Sequence, residues 1–239
     1  MNKLLLPLAF ATALVPCAAQ AAPGIDDEVY GAEVKKGETE LESIYGRLTG
    51  GPDDGEDVLV LEAAHGFTDN LRVGVRGEFE KEPDGSREFE SFGVEAIYAL
   101  GKVRGVNLAV YTEYEAVFEG ADKIETKLLA QRKAGPLDVR FNLIAEKELT
   151  QGAPVELEYA ASADVRSFGE VRLGVQAFGQ LGTTEDFLPR AEHFVGPVAK
   201  FEIEGLGPEI ELEAGYLFAL GAARDDADGQ FRVFLEVEI

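Results

Sequence analysis

Stretches of about ten residues in which apolar and polar side chains alternate one for one recur from Glu38 to the last residue, and few folds can use that pattern. The clearest are "NLRVGVRGEFEK" from Asn70, "LDVRFNLIAEKEL" from Leu137, "VELEYAASADVR" from Val155, "VRLGVQAFGQLG" from Val171 and "EIELEAGYLFALG" from Glu209. Period-2 alternation predicts strands with one apolar and one polar face. Their length is the stronger constraint, because ordinary globular strands run about five or six residues, whereas a tilted strand that crosses a bilayer needs about nine to eleven.

Continued along the chain, the pattern predicts about twelve strands: roughly 38–49, 57–67, 70–81, 87–100, 106–118, 123–133, 137–149, 155–166, 170–181, 192–204, 209–221 and 229–239. No window is convincingly helical. The connections alternate in character. "TDN", "GKVRG", "AGP", "SFGE" and "GLGP" are tight, while "GGPDDGE", "EPDGS", "EGAD", "TQGAP", "TTEDFLPRAE" and "AARDDADG" are generally longer and more acidic. An even number of antiparallel strands with short turns at one end and longer loops at the other predicts an all-β fold: a single closed transmembrane barrel over residues 38–239. Closure also leaves no unpaired strand edge in lipid. A soluble sandwich, a lipocalin-like barrel or a curved periplasmic sheet shares the period, but a lipocalin-like barrel has about eight strands around an apolar lumen.

The first 21 residues read as a cleavable signal peptide: Lys3 is the positive n-region, Leu4 to Val15 the apolar core, and Ala19-Gln20-Ala21 a small-x-small cleavage site. A membrane anchor is the weaker reading, since the apolar run is short, and Val15-Pro16 before Cys17 is a poor lipoprotein site. Removing this leader takes away the sole Cys, the sole Met and one Lys, so the formal charge of −23 becomes −24. Such an exported chain has no disulfide, thiol nucleophile or cysteine metal site. Its acidity excludes nucleic acid as a partner. Residues 22–37 are expected to form a short periplasmic segment, too short for a plug domain, or to extend the first strand from Glu28.

The chain resembles proteobacterial outer-membrane β-barrel proteins, and in particular the twelve-stranded type described as a porin or transporter. The resemblance covers Glu38 to Ile239 and rests on the alternation and on phrases such as "AAHGFTDNLRVGVRGEFE", a strand, a tight turn and a second strand. It implies outer-membrane localisation. It also implies partnership with membrane lipid, lipopolysaccharide, periplasmic chaperones and the barrel-assembly machinery. Such proteins usually end on an aromatic residue that this machinery recognises; here Ile239 stands in that place, after Phe231, Val233, Leu235 and Val237.

With this register Leu71, Val73, Val75, Leu137, Val139, Phe141, Leu143, Val171, Leu173, Val175, Ile210, Leu212, Ala214, Tyr216 and Phe218 face lipid. Aromatics near strand ends, Phe67, Tyr98 and Phe201 at the turn side and Phe79, Tyr114 and Phe231 at the loop side, are expected to form interfacial girdles. The expected lumen-lining set is Glu62, Arg76, Glu95, Glu113, Glu115, Lys127, Arg140, Glu158, Arg172, Lys200, Glu213 and Glu236. The same face also carries Glu40, Glu42, Glu78, Glu125, Glu146, Glu156, Asp164, Glu202 and Glu211 with Arg72 and Arg232, so that acids outnumber bases there about two to one, which predicts a narrow passive pore for small solutes that favours cations. A barrel of this size also permits a closed interior tied by ion pairs. The "TTEDFLPRAE" loop, with Phe187, Leu188 and Pro189, is the expected inward constriction.

No enzyme and no cofactor are expected. A serine hydrolase needs a base within reach of its nucleophile, and the two histidines, in "AAHGF" and "AEHFVG", lack the "HxSNG" setting of outer-membrane phospholipases. Metal sites are likewise not expected. In "RDDADG", placing Gly229 at the sixth position of a calcium loop puts Arg224 at the first and Leu235 at the twelfth, and "GPDDGED" fails in the same way.

Overall fold

A computed structural model describes residues 22–203 and 207–239 of the chain; the leader expected over residues 1–21 and the middle of the turn at 204–206 lie outside the described residues. Twelve strands close into one antiparallel barrel. They are β1 Thr39–Thr49, β2 Asp57–Gly66, β3 Leu71–Lys81, β4 Glu88–Val103, β5 Val106–Val117, β6 Lys123–Ala134, β7 Leu137–Glu148, β8 Glu156–Phe168, β9 Val171–Thr183, β10 Glu192–Ile203, β11 Glu209–Gly221 and β12 Gly229–Glu238. Each strand pairs with its sequence neighbours, and β1 pairs with β12 in the register Glu40 to Glu238 through Thr49 to Gly229. The last residue completes the seam. The Ile239 amide donates to the Thr39 carbonyl at 2.8 Å and the Thr39 amide to the Ile239 carbonyl at 3.1 Å.

Alternation assigns the two faces. Leu41, Leu61, Val75, Val94, Leu128, Phe141, Leu173, Leu212 and Leu235 stand exposed on the outer wall. Their strand neighbours Glu42, Glu62, Arg76, Glu95, Lys127, Asn142 and Gln176 are buried inside. An outer wall this apolar needs lipid or another apolar cover, whereas buried charge inside needs partners or water.

The interior is divided in character. Toward the loop end, Leu48, Val58, Val60, Phe178, Phe194 and Leu217 form an apolar cluster on the sector built from β1, β2 and β9 to β12. The β11–β12 loop caps this cluster with a single 3-10 turn at Ala222–Asp225, which buries Ala223, and with the buried Ala227 beyond it. Alternation gives no signal for so short a helix.

Three further details depart from the sequence expectations. First, β4 runs on to Val103, and the turn written "GKVRG" shrinks to Arg104 and Gly105. Both have positive φ, 50° and 87°, as a two-residue hairpin twisted with its strands requires. Second, Phe187 and Leu188 of the β9–β10 loop stand exposed at 61% and 64% rather than folding inward as a constriction. Third, residues 22–32 run through the barrel interior rather than lying outside with the rest of the expected periplasmic segment: Ile25, Val29, Tyr30 and Ala32 are buried, and the exposed Lys35 to Gly37 carry the chain to the turn-side mouth. Gly46 on β1 permits this, because a Cβ there would collide with the carbonyl of Ile25.

The face assignment makes a quantitative prediction. Val75→Arg, in the middle of the outer face of β3, should lower the unfolding free energy measured by denaturant titration in lipid by about 2–4 kcal/mol. Val75→Leu should leave it within ~1 kcal/mol.

Candidate functional site

The twelve residues expected to line the lumen all lie on the inward faces of their strands, but they gather into separate groups. Glu62 and Glu95 converge on Arg72, an inward residue of β3 that is not among those twelve. Its guanidinium meets Glu62 at 2.8 Å and Glu95 at 3.1 Å and also pairs with Glu40 and Glu42. One cation holding four carboxylates suits an interior where acids are in excess, since Arg presents five donors in a fixed fork. Arg76 meets Glu78 at 3.0 Å and Glu113 at 3.5 Å. The Tyr111 hydroxyl donates to Glu95 at 3.0 Å or to Glu113 at 2.5 Å, so it joins the two groups.

Elsewhere Lys200 pairs with Glu213 at 3.0 Å and Glu211 at 3.2 Å. Arg172 pairs with Asp164. Arg140 meets Asp138 at 3.3 Å. Glu115 and Glu158 line a loop-side cavity and Glu236 a turn-side one. Phe67, Phe79, Tyr98, Tyr114, Phe201 and Phe231 lie on outward faces at the strand ends named for them. Tyr98 and Tyr114 are about half exposed.

The N-terminal segment completes the site. Lys127 is fully buried, with Asp27 of the segment at 2.5 Å, Glu125 at 3.1 Å, and the rings of Tyr30 and Tyr111 each 5.0 Å from its ammonium. Asn142 grips the segment as a neighbouring strand would, its Oδ1 accepting from the Tyr30 amide at 2.8 Å and its Nδ2 donating to the Tyr30 carbonyl at 3.1 Å. Gln131 Oε1 accepts from the Ala32 amide at 3.1 Å, Arg140 donates to the Val29 carbonyl at 3.2 Å, and Gln230 donates to the Pro23 carbonyl at 3.0 Å. Arg232 donates to the Asp27 carbonyl and stacks on Phe178, 4.5 Å from the ring centre. At the turn-side mouth Glu33 meets Lys133 at 2.7 Å, and this ion pair holds its carboxyl below the usual range.

Cavities lie on both sides of the segment. The loop-side one holds about 660 Å³ and is bordered by Ala22 to Gly24, Asp26 and Asp27. Thirteen carboxylate side chains line it, among the described residues, against Arg76 and Lys123. The turn-side one is smaller, about 160 Å³, and is bordered by Glu28 to Gly31; there nine carboxylates face six basic residues. The excess of carboxylates over basic residues is therefore larger at the loop end of the lumen than at the turn end.

Each of the two histidines meets one hydroxyl. His65 shares a hydrogen bond with the Thr39 hydroxyl at 2.9 Å and His193 with the Tyr159 hydroxyl at 3.3 Å, on outward faces at opposite ends of the barrel.

This geometry has solved counterparts. A NanC porin superposes with a TM-score of 0.59 at 9% identity, covering 82% of this chain and 98% of that one. The COG4313 outer membrane channel from Pseudomonas putida F1 gives 0.58 at 11%, covering 86% and 96%. A KdgM porin in complex with disordered oligogalacturonate gives 0.56 at 11%, covering 83% and 97%. The fold is that of outer-membrane porins. No protein-family model matches the chain, and no curated protein matches it by sequence.

Two outcomes follow. Lys127→Met leaves Asp27 and Glu125 buried without their cation and should cost about 3–5 kcal/mol in denaturant titration; Lys127→Arg should recover part of the loss. In the β1–β2 loop, burial and the neighbouring Asp53, Glu82 and Glu80 push Glu56 up to about 7. Because its folded value lies above its ordinary 4.5, the stability it contributes is full below that value and is lost as pH rises through 7. Glu56→Gln should therefore melt at the same temperature as the parent below pH 4.5 and increasingly above it toward pH 8.

Proposed function

We propose that this chain is an outer-membrane barrel that acts as a narrow passive pore for small solutes and favours cations. The observation that carries the reading is the loop-side cavity, wide enough for a small hydrated solute and walled by thirteen carboxylates against two basic side chains. A negative, low-dielectric mouth concentrates cations and repels anions before any specific contact forms. The porin-like fold supports the transport class, and the apolar outer wall supports a seat among outer-membrane lipid and lipopolysaccharide. The alternating β12 that closes the barrel fits delivery by periplasmic chaperones and the assembly machinery, with Ile239 serving where an aromatic is usual.

One observation favours a second reading, a closed barrel that stabilises the membrane without transporting. The segment over residues 22–37 and the ion pairs around it occupy the space between the two cavities.

Planar-bilayer recording of refolded protein across a KCl gradient tests the proposal. The reversal potential should show cation preference, and the triple variant Glu115→Gln, Glu146→Gln, Glu158→Gln should reduce the cation-to-anion permeability ratio by about twofold or more. Anion preference in the parent would remove the cation-favouring reading.

A further inference from the structure

We propose that residues 22–36 are a built-in plug, seated across the lumen by side chains of the barrel wall and hinged at Gly37, whose withdrawal joins the two cavities into one path. The proposal rests on the pore reading above and adds to it the element that opens and closes the path.

The first ground is position. One short stretch borders both cavities: Asp26 and Asp27 face the loop-side one, Glu28 to Gly31 the turn-side one. Between them the chain crosses the barrel with Val29 and Tyr30 almost wholly buried. A solute moving from one cavity to the other meets this backbone.

The second is the way the wall addresses it. Asn142, Gln131 and Gln230, three uncharged amides on inward positions of β6, β7 and β12, spend hydrogen bonds on the segment's backbone. Each amide group is both donor and acceptor, so it can take the place of a missing strand. Lys127 adds an ion pair to Asp27, and Ile25 sets an apolar anchor among Ile44, Phe178 and Val198. Side-chain contacts of this kind hold a segment in place without making it a member of the sheet. Where the wall is polar, at Lys127, Gln131, Asn142 and Arg232, water can take the segment's place on withdrawal, whereas the apolar patch around Ile44, Phe178 and Val198 favours the seated state.

The third is attachment. Among the described residues the segment runs into the sheet at the turn-side mouth, where the Gly37 amide donates to the Gly66 carbonyl at 2.7 Å. Gly37 has a φ of +86° and open space around its α-carbon. A glycine there lets the chain swing without a steric barrier.

The test uses the refolded barrel, the same barrel lacking residues 22–36, and the full-length Asp27→Lys variant, which sets like charges against each other at Lys127 and keeps the chain length. Circular dichroism and heat-modifiable gel migration establish that each has folded. Conductance at a fixed potential should rise at least about tenfold on truncation and should rise or flicker open in Asp27→Lys. A second readout does not depend on conduction. Ala109 is fully buried in the cluster that contains Tyr30 and Ala32, so an Ala109→Cys thiol, in a Cys17→Ala background, should resist a charged, membrane-impermeant thiol reagent in the full chain and react in the truncated one. Equal and measurable conductance with and without the segment, in folded protein, overturns the plug and leaves the pore. A thiol that stays protected after truncation also overturns the plug. A thiol that becomes reactive while both proteins stay silent in the bilayer upholds the seat of the segment and overturns the pore.

Discussion

Everything in this structure follows from the need to satisfy backbone hydrogen bonds where no water is present to satisfy them. An open sheet edge in hydrocarbon leaves a row of amides and carbonyls unpaired, each at a cost of several kcal/mol. The β1–β12 seam removes that edge, and the paired amides and carbonyls of Thr39 and Ile239 carry it to the last residue. Once the sheet is closed, alternation ceases to be a choice between core and solvent. Odd and even positions are committed to lipid or lumen for the length of each strand, and a shift by one residue would exchange them all.

That commitment explains the interior. With lipid taking the apolar face, the acidic surplus of the chain is driven inward, where carboxylates outnumber bases and share them. Arg72 holding Glu40, Glu42, Glu62 and Glu95 is the result. Burying unpaired charge is costly, so sharing one guanidinium and admitting water are the two available ways to lower the penalty. The structure uses both. Side chains are tied together in the middle of the barrel, and the greatest concentration of carboxylates lies around the larger cavity at the loop end.

Strand existence, number and facing were legible in the sequence because each strand repeats the same signal about ten times over and its neighbours repeat it again. All twelve residues expected to line the lumen lie on inward faces for this reason. The turn after β4 was less legible, since Lys102 and Val103 continue the strand and the positive φ of Arg104 leaves no mark in an alternation pattern. The segment over residues 22–37 was hidden more deeply. Its apolar residues Ile25, Val29 and Tyr30 are too few and too irregular to announce an element. The segment's partners are scattered over β6, β7 and β12 for its backbone and over β1, β9 and β10 for Ile25, so the site exists only once the barrel has closed. One trace was present: a solvated tail has little use for "IDDEVY", which places three large apolar groups among its acids.

The choice of partners for that segment is itself informative. Most of the lumen is managed by charge, yet three of the groups that grip the segment's backbone are the neutral amides of Gln131, Asn142 and Gln230. A carboxylate can only accept and an ammonium only donate, so either would satisfy half of a peptide unit and leave a buried charge to be balanced elsewhere. An amide offers both functions without net charge. At Tyr30 it supplies a donor and an acceptor to the same residue, as the next strand of a sheet would. The gripping amides therefore let the barrel hold an extra length of backbone in its lumen without contributing charge of their own and without opening the wall to pair with it.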